Sequence, residues 1–222
     1  FNAGASFGAT TVVDVGAPGS SDQTLGSFRS QSGREIAFVW DDSASTLGVA
    51  TITSHALAFH TGGNSSEKMR IDTSGHVTMP HQSAFSAKTD GAQNNIATSS
   101  YVNMEFDTEI YDTNSDFNTS TYTFTAPVTG KYAFDVSIRF DDLDSAANYY
   151  AVFLETSNRT YYNIHQVTSS DAGYRSLGVS VTAADMDAND TAYVRVYQDG
   201  GTQQTDMGGS TGGDWFQGIL LA

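Results

Sequence analysis

Tyr122-Thr123-Phe124-Thr125-Ala126-Pro127-Val128-Thr129-Gly130-Lys131-Tyr132-Ala133-Phe134-Asp135-Val136-Ser137-Ile138 is the stretch that decides the fold class. Pro127 fixes φ and Gly130 permits a tight turn, so two extended runs meet between them. After the turn, Tyr132, Phe134, Val136 and Ile138 alternate with Ala133, Asp135 and Ser137. A period of two sends the large apolar set to a buried face and the small polar set to the other face of an antiparallel sheet.

The same grammar extends outward. Strand-like runs fall at 83–87, 106–110, 121–125, 130–140, 149–155, 160–167, 177–181, 192–197 and 215–221. Nine short runs at this spacing, separated by Gly, Asn, Asp and Ser, predict an antiparallel sandwich or barrel. No stretch of twelve residues carries a clean 3.6 period, so the fold class is all-β. Upstream the pattern is thinner. Residues 1–32 hold one apolar run, at 11–15. Ile36, Phe38 and Trp40 alternate with Ala37 and Val39, and shorter runs follow at 47–51, 56–59, 69–71 and 77–79. A segment with so few patterned residues buries little core alone, and association between chains would supply the rest.

Charge divides at the same place. Residues 1–80 hold 7 acids and 4 bases, whereas residues 81–222 hold 18 acids and 6 bases. Pro80 follows a strand-like run and cannot donate to a ladder, so the chain reads as two domains, 1–80 and 81–222. The total of −15 disfavours nucleic acid, whose phosphates need a basic face, and disfavours anionic membrane surfaces. Zero Cys removes disulfides and thiolate chemistry. No apolar run approaches 18 residues, so no membrane insertion is expected. Only 16% of residues are charged, against 21 Gly and many Ser, Thr and Asn, a surface style common in extracellular and virion β-proteins. The chain begins at Phe1 without a basic or apolar leader, and reads as a cut within a longer polypeptide.

Candidate sites are few. Asp141, Asp142 and Asp144 follow the run ending at Phe140. They fit a solvated acidic loop, and as a site they would be a candidate Ca²⁺ cluster, with Asn148 adding an oxygen. No cofactor is required. Asp185, Asp187, Asn189 and Asp190 begin like an EF-hand loop but lack its Gly and Glu positions. The five His form no metal-spaced pair. Glu105, Asp107 and Glu109 alternate on a strand and fit exposed surface better than a catalytic acid pair. With no nucleophile elbow and no phosphate-binding loop, the chain is not read as an enzyme. For binding, Tyr149, Tyr150, Tyr161 and Tyr162 sit on adjacent runs where one of each pair must face in and the other out. Tyr150 and Tyr162 are named as binding candidates, together with Asp199 and Gln203 in the loop predicted over 198–213.

Two resemblances follow from motifs. Leu57-Ala58-Phe59-His60-Thr61-Gly62-Gly63, then Met69-Arg70-Ile71-Asp72-Thr73-Ser74-Gly75-His76-Val77, resembles a β-hairpin segment common in bacteriophage tail-fibre proteins, where three chains wrap into a fibre. Thr78-Met79-Pro80 departs from its usual ending. The second resemblance spans the rest of the chain. Residues 80–87, the Tyr122–Phe134 stretch, the alternation through Val179, Val181, Asn189-Asp190, Tyr193, Val194 and Val196, and Trp215-Phe216-Gln217-Gly218-Ile219-Leu220-Leu221 are together similar to the globular head of the complement C1q family, a jelly roll of the tumour-necrosis-factor superfamily. Asn189 replaces a usual Gly. This resemblance implies a compact homotrimer with aromatic contacts along its axis.

Together they imply a trimeric β-rich shaft or collar followed by a jelly-roll head: a virion tail-fibre tip that attaches to a host-surface glycan or protein, and that joins other virion or tail proteins through its missing N-terminal part. The alternative is a structural virion or extracellular filament subunit in which the jelly roll drives trimerisation and assembly.

Overall fold

The structure is a computed structural model and describes residues 23–41, 43–63, 65–167, 170–208 and 213–222. The apolar run at 11–15 lies outside the described residues. The chain divides into two compact units between Pro80 and His81. Every strand pairing among the described residues is antiparallel.

The first unit holds β1 (Gln23–Arg29), β2 (Glu35–Asp41), β3 (Thr46–Thr51), β4 (Leu57–His60), β5 (Glu67–Ile71) and β6 (Val77–Thr78), arranged as two three-stranded meanders. The β5–β6 turn is fixed by Asp72, whose Oδ1 accepts from the Ser74 and His76 amides at 2.8 and 2.9 Å, and by Gly75 at φ +88°. In the first meander Phe38 pairs with Val49 and Trp40 with Leu47. The large residues of that face lie bare: Phe38 is 56% exposed, Leu47 71% and Val49 50%. Small Ala37, on the opposite face, is the buried one. A single three-stranded sheet has only one side to hide, and here the bulky side is the uncovered one.

The second unit adds β7 (Ala84–Lys88), β8 (Val102–Asn103), β9 (Thr108–Asp112), β10 (Phe117–Asn118), β11 (Thr123–Thr125), β12 (Gly130–Leu143), β13 (Ala147–Thr156), β14 (Thr160–Gln166), β15 (Ala172–Met186), β16 (Thr191–Gly200), β17 (Asp206–Met207) and β18 (Trp215–Leu220). One sheet runs β15-β12-β18-β7-β9, with β17 added to β12. The other runs β10-β11-β16-β13-β14, with β8 added to β16. These two sheets form a jelly-roll sandwich, as the sequence predicts.

The predicted alternation sets the core. Tyr132, Phe134, Val136, Ile138 and Phe140 all point inward from β12 and are at most 2% exposed. Phe85 sits at the centre, stacked on Phe117 and Phe124 with ring centroids 4.9 Å apart in each case, and edge-on to Phe216 at 4.9 Å. Gly218 passes directly beneath these rings. A Cβ there would stand 2.6 Å from Phe134 and 2.7 Å from Phe85, so the terminal Trp-Phe-Gln-Gly pattern reflects space rather than turn geometry.

Several strands outrun their predicted bounds. β12 extends through Asp141 and Asp142 to Leu143, β15 covers fifteen residues where five were expected, and β16 continues to Gly200. Polar residues hid these extensions: once a ladder is established, Asp or Ser on its outer face costs little.

Candidate functional site

The loop end of the sandwich is organised by Asp144, a carboxylate only 4% exposed. Its Oδ1 accepts from the Ala146 amide at 2.8 Å, and its Oδ2 accepts from the Gln203 amide at 2.8 Å, the Thr202 hydroxyl at 3.1 Å and the Thr202 amide. These amide donors hold its pKa down to about 2. Buried Gln198 continues the knot, donating to the Gly200 and Gln203 carbonyls and accepting from the Thr205 amide.

The predicted Ca²⁺ cluster does not assemble. Asp141 lies within β12 and accepts from Arg139 Nε at 2.8 Å. Asp142 is exposed at φ +56°, and Asp144 is committed to backbone amides. Asp144 lies beyond the end of β12 and turns to the Thr202 and Gln203 amides, so the three carboxylates share no centre. Among the described residues no three His, Asp or Glu are placed to hold a metal. Asn148 donates to Asp199 at 2.9 Å.

Asp142 does line a polar recess of about 370 Å³ with Gln203, Gln204, Asn95, Asp171 and Asp206. Its acids act as loop fasteners. Asp171 accepts from the Ser145 amide and hydroxyl, and Asp206 accepts from the Asn95 amide.

Strand alternation separates the tyrosine candidates. Tyr150 is fully buried, edge-on to Phe140 at 5.5 Å, and its hydroxyl accepts from the Asp144 amide at 2.8 Å. It is a core residue and offers a ligand nothing, which corrects the expectation for it. Tyr162 points the other way and is 62% exposed.

Tyr162 ends a continuous aromatic strip on the outer face of the β16-β13-β14 sheet. Along the strip, centroids stand 5.9 Å apart from Tyr149 to Tyr197, 5.0 Å from Tyr197 to Tyr101, 5.2 Å from Tyr101 to Phe153 and 5.8 Å from Phe153 to Tyr162. The pairing places these side chains on one face: Tyr149 opposite Asp199, Ala151 opposite Tyr197, Phe153 opposite both Arg195 and Tyr162. The Arg195 guanidinium lies 4.3 Å from the Tyr101 ring centroid and is ion-paired with Glu155. Glu155 also accepts from the Thr160 hydroxyl at 2.5 Å. Asp199 closes one end beside Tyr149, whose pKa is raised by burial and by that carboxylate. Asp199 thus belongs to strand β16 and to this face, whereas Gln203 belongs to the loop-end recess. The predicted binding residues do not form one site.

The other sheet carries a shallow, largely apolar recess of about 320 Å³ on its outer face, lined by Tyr111, Ala133, Val181 and Ile219 among others. Trp215 lies along the same face and donates to Asp135 at 2.7 Å.

Sequence reasoning passed over Tyr101, Tyr197, Phe153 and Arg195. The signal was present: Tyr193, Arg195 and Tyr197 alternate with Ala192, Val194 and Val196. An aromatic set opposite an aliphatic set marks a strand with two covered faces.

The family model for the C1q domain matches residues 84–221. Among solved structures, the chain is similar to the globular domain of the zebrafish complement 1qA protein, at 19% identity over 64% of this chain and 98% of that one, with a TM-score of 0.41. It is similar to murine APRIL at pH 8.0, at 12% identity over 63% and 99%, with a TM-score of 0.45. It is also similar to Eiger TNF from S. frugiperda, at 16% identity over 64% and 92%, with a TM-score of 0.42. No curated protein matches the chain.

Proposed function

We propose that this chain, which belongs to the C1q domain family, is the distal part of a bacteriophage tail fibre, with residues 1–80 forming a trimeric shaft or collar and residues 81–222 a head that attaches to a host-surface glycan. C1q- and TNF-like domains usually form homotrimers, serve in binding and are generally non-catalytic. The observation that carries the reading is apolar surface left bare on both units. Phe38, Leu47 and Val49 line one face of the first meander, and the Tyr111–Ile219 recess lies on the second unit. Apolar faces left this open are suited to be covered by further copies of the chain. The Leu57–Val77 hairpin pattern supports the virion setting, and the outward tyrosines support recognition. Three equal heads would raise a weak affinity per site by avidity.

Light scattering on the full chain, followed by attachment assays against a panel of bacterial strains, tests the proposal. A mass near three chains with attachment to some strains is expected. Phe38→Asp is expected to lower the trimer fraction, because it sets a charge among the bare apolar residues of β2 and β3. A monomer throughout would refute the shaft. A stable trimer that attaches to no cell would favour the structural-subunit alternative.

A further inference from the structure

We infer that the head binds a neutral, linear glycan laid along the Tyr149–Tyr197–Tyr101–Phe153–Tyr162 strip, with sugar rings resting on successive tyrosines. The inference rests on the attachment reading above and adds the place, the ligand class and the manner of binding.

Contiguity is the first support. Five rings from β13, β16, β14 and the segment before β8 succeed one another at 5.0–5.9 Å across the sheet. A continuous track suits an extended chain better than a compact ligand. Composition is the second. Four of the five rings are tyrosines, and Phe153 is covered as their floor at 9% exposure. A tyrosine offers a flat apolar face with a hydroxyl at its rim. A pyranose offers the matching pair, a C–H face and a rim of hydroxyls. Aliphatic side chains, which have no hydroxyl rim to match, are sparse here: Ala151 is buried and Ile164 lies on the edge strand.

Charge selects among glycans. The base in the strip, Arg195, is neutralised by Glu155, and Asp199 adds a carboxylate at the Tyr149 end. No excess positive charge therefore awaits a sulfate, a phosphate or a sialic acid, and the chain's net −15 repels anionic polymers at long range. The Asp199 carboxylate, only partly buried, is an acceptor for sugar hydroxyl donors. Four of the five rings ride on paired strands, so little ordering is needed on binding. The strip and the Tyr111–Ile219 recess also lie on opposite sheets of the sandwich, so copies of the chain can cover one while ligand occupies the other.

The test uses the 222-residue chain and calorimetry with neutral linear hexasaccharides built from glucose, mannose, galactose or N-acetylglucosamine. Their disaccharides are run beside them, and heparin serves as an anionic probe. At least one hexasaccharide should bind, at least about tenfold tighter than its disaccharide, and Tyr101→Ala and Tyr162→Ala should each weaken it by about tenfold. Tyr162 is mostly exposed, so its variant keeps the test valid if Tyr101→Ala fails to fold. Tyr101→Phe should retain most of the affinity. If a neutral glycan binds but both alanine variants match the unaltered chain, the strip is not the site and the inference falls while the attachment reading stands. Binding to heparin alone overturns the ligand class. If no hexasaccharide binds while cell attachment survives periodate treatment of the cells, a protein receptor is indicated and the glycan is overturned in both readings. Absence of both glycan binding and cell attachment overturns the inference and the proposed function together.

Discussion

Asp214→Asn should make the protein more stable at neutral pH. Asp214 is 1% exposed. Its Oδ1 accepts from the Arg139 amide at 2.6 Å, while its Oδ2 is buried with no hydrogen-bond partner. Other oxygens crowd the same space: a Cβ placed on Gly208 would stand 2.8 Å from Oδ2, 3.1 Å from the Gly91 carbonyl and 3.1 Å from the Thr89 hydroxyl. Burial, aided by the nearby Asp141 carboxylate, raises the pKa to about 6. The folded state therefore keeps a proton that the unfolded chain releases near pH 4. Stability from this group is present in full below that value and is lost as pH rises towards 6. At about 1.4 kcal/mol for each tenfold, the gap corresponds to an upper value of about 3 kcal/mol. Asparagine is neutral at every pH, keeps the acceptor for the Arg139 amide and replaces the orphan carboxylate oxygen with an uncharged amide group. Urea unfolding at pH 7.5 should give the variant about 1–3 kcal/mol more stability, with the fall between pH 4 and 6 much reduced. A variant that is less stable at pH 7.5, or one that keeps the full slope between pH 4 and 6, would refute the assignment of an uncompensated buried carboxylate.

Two further outcomes follow from the packing and the loop end. Gly218→Ala should cost about 1–3 kcal/mol in urea unfolding, because its methyl would press into the Phe134 and Phe85 rings; a neutral substitution would mean that those rings have room to yield. Asp144 has a depressed pKa, so its contribution is present above the ordinary aspartate range and is lost as pH falls through about 2. Amide exchange of Thr202 and Gln203, whose amides it accepts, should stay slow at pH 4 and quicken relative to the β12 core when Asp144→Ala is introduced. Equal protection in the variant would show that the loop is held by other bonds.

The parts of this architecture legible in the sequence are those where side-chain size alternates strongly. Tyr132 to Ile138 reveals both the strand and its buried face because the small set includes Asp135 and Ser137. The first strand, Gln23–Arg29, was illegible because Gly26 and Ser27 interrupt any period. The acidic trio misled for a related reason: Asp141 and Asp142 look like a loop, but the ladder to Tyr174 carries β12 through Asp141, and consecutive strand residues cannot chelate together. Tyr150 and Tyr162 carry the same side chain at sites of opposite burial, and phase alone decides between them. The aromatic strip draws on four separate segments, whose juxtaposition depends on the β13–β16 and β13–β14 registers, and no local pattern encodes those registers.

One consequence of the topology concerns mechanical load. The second unit is entered through β7, an inner strand bonded to β18 on one side and to β9 on the other. A pull delivered through residues 81–83 cannot peel an edge; to extract β7, both ladders must give way together. It must also drag Phe85 from between Phe117 and Phe124. Tension arriving from upstream is thus taken at the best-anchored point of the sandwich, while the loops at its far end and the outward tyrosines on the neighbouring sheet stay outside the loaded path.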